Sequence, residues 1–148
     1  MKKKSLSILT IICLTVLFTS SLLPQEGQKP TVKAEVLAKS TKSWDGNTLP
    51  HYPKGQPEIT IVKLTIPPKT RLPLHKHPVI LGGVILEGEL TVITEEKKRM
   101  NLKSGDSIVE VVNKWHYGVN EGNIDTVAYI FYVGIEDQPL SINKPKSN

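Results

Sequence analysis

From Glu58 onward, apolar and polar residues alternate in short runs separated by turn residues. In Val62-Lys63-Leu64-Thr65-Ile66 and Leu90-Thr91-Val92 the apolar side chains recur at every second position. That is the period of a strand with one buried face. The runs that predict strands are Ile59–Ile66, Val79–Leu86, Glu89–Thr94, Lys98–Leu102, Ser107–Val112, Trp115–Val119 and Thr126–Val133. Between them stand Pro67-Pro68, Glu87-Gly88, the charged turn Glu95 to Lys98, Ser104-Gly105-Asp106 and Glu121-Gly122-Asn123. No helical period interrupts this texture, so residues 58–136 read as one all-β domain, a small antiparallel barrel or sandwich.

The flanks differ. Pro24, Pro30, Pro50, Pro53 and Pro57 prevent any long regular element upstream, which makes residues 35–57 an extended strap. Residues 137–148 are polar, end in Lys and Pro, and are expected to form a loosely held tail. At the other end, Lys2, Lys3 and Lys4 precede an apolar run from Leu6 to Leu23, the layout of a secretory signal. Residues 1–34 are therefore expected to be a cleaved signal peptide, with cleavage after Ala34 or earlier at Ser20 or Ser21, and the mature protein to be periplasmic or secreted.

Charge and cysteine content narrow the function classes. The chain carries 19 basic and 14 acidic side chains, but residues 35–148 hold 14 and 13, so the folded part is near neutral. Without a basic run or interleaved aromatics, nucleic-acid binding has no support. The single cysteine, Cys13, lies in the apolar leader, which leaves the domain with neither a disulfide nor a thiol nucleophile. The bulky Ile12 before it argues against lipid attachment.

The candidate chemistry is in the histidines. His75 and His77 are one residue apart, which on an extended strand sets both imidazoles on one face, roughly 7 Å apart at the backbone. His116 falls on a later strand that a barrel could bring alongside. His51, in the Pro-rich strap, reads as a surface or packing residue. The His75–His77 pair sits between Pro73 and Pro78 and precedes an apolar strand ending in Leu86-Glu87-Gly88; Gly105 and Asp106 then lead to His116 and Asn120.

In these residues the chain resembles the cupin superfamily from about Ile59 to Val133. His75, His77, Gly88, Gly105, His116 and Asn120 stand at the spacings of its two motifs. The resemblance implies a double-stranded β-helix of the jelly-roll type with one divalent transition metal, Fe, Mn, Ni or Zn, on His75, His77 and His116. Two positions depart from the pattern. Where the first motif carries an acidic ligand stands Leu81, or Gly82 with the longer spacing, and the second motif's Pro-x-Gly turn is Val111-Val112-Asn113.

Three histidines leave positions on an ion open for a small ligand. The resemblance implies an activity of the dioxygenase type on a small chelating molecule. The alternatives are a non-catalytic module that captures a small ligand, and an isomerase of sugars or sugar acids. Glu110, within Ile108-Val109-Glu110-Val111-Val112, is the candidate catalytic acid–base group if its side chain turns inward. Asn120 and the turn glycines are expected to be structural, Gly82-Gly83 to mark a bulge or a close backbone approach, and the assembly to be a homodimer.

Overall fold

The computed structural model describes residues 31–145. The leader up to residue 30, Cys13 included, lies outside them, and with it nearly all of the expected export signal.

Nine strands follow in order: β1 (Pro57–Ile66), β2 (His75–Lys76), β3 (Ile80–Glu87), β4 (Glu89–Thr94), β5 (Arg99–Lys103), β6 (Ser107–Val109), β7 (His116–Val119), β8 (Thr126–Ile135) and β9 (Ile142–Asn143). They form two antiparallel sheets, β1-β8-β3-β6 and β5-β4-β7-β2-β9, in the all-β jelly-roll arrangement expected. The seven expected runs all appear. β2 and β9 are additions: one is a two-residue strand between prolines, the other comes from the polar C-terminal segment.

The alternation seen in the sequence becomes the core. Ile66, Ile85, Ile108 and Ala128 from the first sheet meet Leu90, Val92 and Leu102 from the second, all buried. Burying side chains of the Ile and Leu class stabilises by about 1.5–3 kcal/mol each. Trp44, from the strap, packs against this cluster, and its N–H donates to the Val109 carbonyl at 2.9 Å, which covers the edge of β6.

Gly88 joins β3 to β4 with φ +73°, and a Cβ there would lie 2.4 Å from the Asp125 carbonyl oxygen, so the turn admits no side chain. Gly83 serves a close approach: a Cβ on it would stand 2.7 Å from the Ile130 side chain of β8. The register runs without a bulge through Gly82 and Gly83, and the irregularity lies further on, between Ile85 and Glu87. Asn120 is fully buried and structural: its Nδ2 donates to the Ile66 and Ile124 carbonyls, and its Oδ1 accepts from the Gly122 N–H.

One run is shorter than its pattern implies. Ser107–Val112 pairs as a strand only to Val109. The Glu110 carboxylate accepts the Val111 N–H at 2.8 Å, and Asn113, at φ 58°, turns so that its N–H reaches the His77 carbonyl at 2.8 Å. Local side-chain and turn bonds replace the ladder here. They deliver the end of this segment to the histidines.

Candidate metal centre

His75 and His116 face each other across the β2–β7 pair, and His77 follows at the end of β2. The three rings converge, with centroids 4.5 Å (His75–His116), 4.8 Å (His75–His77) and 5.1 Å (His77–His116) apart. One ring nitrogen from each can be chosen so that all three lie within 4.8 Å of one another. His51 stands exposed in the strap and takes no part.

The hydrogen bonds decide which nitrogen is free. His75 Nδ1 lies 2.7 Å from the Pro73 carbonyl oxygen, His77 Nδ1 2.7 Å from that of Leu140, and His116 Nδ1 2.8 Å from that of Lys114. A carbonyl only accepts, so each Nδ1 carries the proton and each Nε2 presents a lone pair. His75 Nε2 and His77 Nε2 stand 3.2 Å apart. Two lone pairs at that distance repel unless positive charge lies between them, and a backbone carbonyl on the far nitrogen is the usual support of a metal-bound imidazole. The donor set therefore fits a divalent ion of the imidazole-preferring kind.

The electrostatics agree. Burial lowers all three histidine pKa values, His77 to about 4, against the opposing pull of the carbonyl bonds. The imidazoles are therefore neutral at ordinary pH, the state in which they ligate.

Glu110 is the acid of the site. It is buried, it lines the same cavity, and burial pushes its carboxyl pKa up, opposed by the Val111 N–H and the Trp44 indole. Both donors go to Oε1, Trp44 Nε1 at 2.7 Å and the Val111 N–H at 2.8 Å. Oε2 has no protein donor, yet no buried side-chain oxygen or nitrogen lacks a partner among the described residues. Oε2 is thus the oxygen left to the cavity. Leu81, where the motif acid was sought, is buried in β3 and is not on the cavity wall; its carbonyl accepts the Glu110 N–H at 3.1 Å. The carboxyl on the cavity wall is that of Glu110, from the neighbouring segment.

The cavity measures about 260 Å³. Leu64, Leu72, Leu90, Val92 and Ile130 form one end, and the histidines, Glu110 and Tyr132 the other. Tyr132 lies opposite Leu81 on β8, its ring 5.6 Å from that of His77, and burial raises its pKa. The segment expected to hang loosely at the C-terminus closes part of the wall with Ser141 and Asn143. β9 pairs with β2 at His75–Asn143 and Lys76–Ile142, and the Lys144 N–H donates to the Leu74 carbonyl at 2.8 Å. Trp44, Leu140, Ser141 and Asn143 were not legible as site residues: each contributes through backbone course or a polar contact that no local pattern announces.

Residues 62–132 match the sequence profile of the family described as Cupin domain. No curated protein matches the sequence. Among solved structures, the chain is similar to the polyketide cyclase RemF of Streptomyces resistomycificus, with 16% identity over 60% of this chain and 62% of that one and a TM-score of 0.51. It is similar to the DMSP lyase DddQ of Ruegeria pomeroyi, with 19% identity over 64% and 47% and a TM-score of 0.51. A cupin-like protein of Thermotoga maritima gives 16% identity over 60% and 65% and a TM-score of 0.50. The chain spans less than two thirds of each of these three, and what they share with it is the fold.

Proposed function

Because the chain belongs to the cupin superfamily, we propose that His75, His77 and His116 hold one divalent transition metal and that the site binds, and oxidises in the manner of a dioxygenase, a small chelating molecule. The observation that carries this is the arrangement of the three imidazoles, each tied at Nδ1 to a carbonyl with its Nε2 turned to a common point. A divalent ion there would supply Lewis acidity and, in a redox-active form, the means to activate dioxygen.

The protein's own contribution is positioning and proton handling. Carbonyls of Pro73, Leu140 and Lys114 fix the three tautomers. Glu110 Oε2, with Oε1 immobilised by two donors, takes a proton from the ligand's acidic group, and burial brings its basicity toward that task. The aliphatic wall excludes water from the ligand. A non-catalytic binding role uses the same contacts and differs only in yielding no product.

We further propose that the protein is exported, on the strength of the Lys-led apolar run before residue 24, and that it forms a homodimer. The outer face of β1 and β8, where Ile59, Ile61 and Phe131 are exposed, supports the second of these.

Elemental analysis of protein purified without an affinity tag tests the metal assignment. About one transition-metal ion per chain is expected, lost in His75→Ala, His77→Ala and His116→Ala and kept in His51→Ala. Equal metal content in all four variants would show that the histidines are not ligands.

A further inference from the structure

The cavity has two chemically different ends, and the cations near it all face elsewhere. Its aliphatic end is contributed by both sheets: Leu64 and Ile130 from β1 and β8, Leu90 and Val92 from β4, with Leu72 closing from the loop before β2. No Lys or Arg is among the described residues that line it. The basic residues closest in sequence to the ligating histidines are engaged elsewhere. Arg71 lies over the Tyr117 ring at 3.7 Å and Lys76 over Trp115 at 5.0 Å. Lys114 bonds Asp45 at 2.9 Å, and Lys144 is paired with Glu95. Besides the neutral imidazoles, the acidic side chain in the wall is the carboxyl of Glu110.

Resting on the metal reading above, we infer that the ligand is a small molecule with a metal-ligating head and an uncharged hydrocarbon body. A second anionic group on the body would be desolvated at the aliphatic end with no cation to neutralise it. A sugar or sugar acid would leave several hydroxyls there without partners, each costing more than its burial returns. A volume of about 260 Å³ sits just below the ~300–1,000 Å³ of ordinary ligand pockets, so the body is short. Of the activities that the fold could host, this favours compact apolar chelators over sugars, sugar acids and phosphate esters.

The test is a series of aliphatic hydroxamic acids, from acetohydroxamate to octanohydroxamate, titrated calorimetrically into zinc-loaded protein. Affinity is expected to rise roughly fourfold per added methylene, then to level off once the cavity is full. A hydroxamate of equal length ending in a carboxylate, and a polyhydroxylated one, should bind no better than acetohydroxamate. Equal affinity along the series, or tightest binding by the carboxylated or polyhydroxylated member, overturns the inference. Zinc stoichiometry measured in the same samples reports on the metal site separately, and its loss overturns the metal reading alone. In that event n-alkanols titrated into metal-free protein decide the aliphatic end. Shifts of the Leu64, Leu90 and Ile130 methyl resonances that grow with chain length, and are absent with polyols, sustain it, and their absence overturns it.

Discussion

Replacing Trp44 with Phe removes the indole N–H that donates to Glu110 Oε1 at 2.7 Å and keeps a smaller aromatic ring against the core. A hydrogen bond to a charged group contributes about 1.5–3 kcal/mol, and one to a neutral group about 1 kcal/mol. The cost of Trp44→Phe therefore depends on the charge of Glu110. Burial raises that carboxyl above its ordinary 4.5, so the folded protein holds the proton to higher pH than the unfolded chain does. The contribution of Glu110 to stability consequently falls as pH climbs from 4.5 through the raised value and levels off beyond it. The indole favours the ionised form, so its loss raises the carboxyl further and extends the fall. The hydrogen-bond share of the Trp44→Phe loss should be about 2 kcal/mol where Glu110 is ionised and about half that where it is protonated, so the loss measured by urea denaturation of the metal-free protein grows with pH. In a Glu110→Met background the indole has no acceptor, and Trp44→Phe should cost only the packing that the smaller ring loses, which isolates the pair in a double-mutant cycle. Equal costs in both backgrounds, or a larger loss at pH 5 than at pH 8, would refute the idea that the strap holds the carboxylate.

Ending the chain after Pro139 removes the Leu140 carbonyl and β9 while leaving residues 62–132 intact. Metal affinity should drop by about 10–100-fold in competition with a chromophoric chelator, the usual cost of losing a ligand's supporting bond, and an unchanged affinity would mean that the tail does not hold His77. In the Glu110→Met background, where the opposing carboxyl is gone, the metal-free protein should also lose stability in acid. His77 is depressed from 6.5 to about 4, so its contribution is complete above pH 6.5 and is lost as pH falls through that window toward 4. The loss is on the order of 3 kcal/mol, and a melting temperature flat between pH 7 and pH 4 would contradict it.

The strands were legible because β1, β3 and β8 largely bury one face, a constraint that writes itself into every second residue, while β4, buried on both faces, was marked by its β-branched run and bounding turns. β2 and β9 are invisible for the opposite reason: two residues cannot display a period, and their side chains are polar or exposed. The three histidines were legible because residue type and parity suffice to place an imidazole. Glu110 was ambiguous on parity alone, since a buried face can be an interior or a covered exterior. The N–H bond to Leu81 and the indole of Trp44 settle it, and both depend on pairings between distant segments.

Those distant segments matter more than their share of the chain suggests. The family match covers residues 62–132, and within it lie the three imidazoles and Glu110. Outside it lie Trp44, which fixes one carboxylate oxygen, Asp45, which binds Lys114 beside the carbonyl that orients His116, and Leu140, which orients His77. Ser141 and Asn143, also outside, shape the mouth of the cavity. The three imidazoles and Glu110 thus come from the matched region, whereas the bonds that hold Glu110 and His77 and part of the cavity wall come from the flanks. A change in the strap or the C-terminal segment can therefore alter the basicity of Glu110 and the hold on His77 without touching an imidazole.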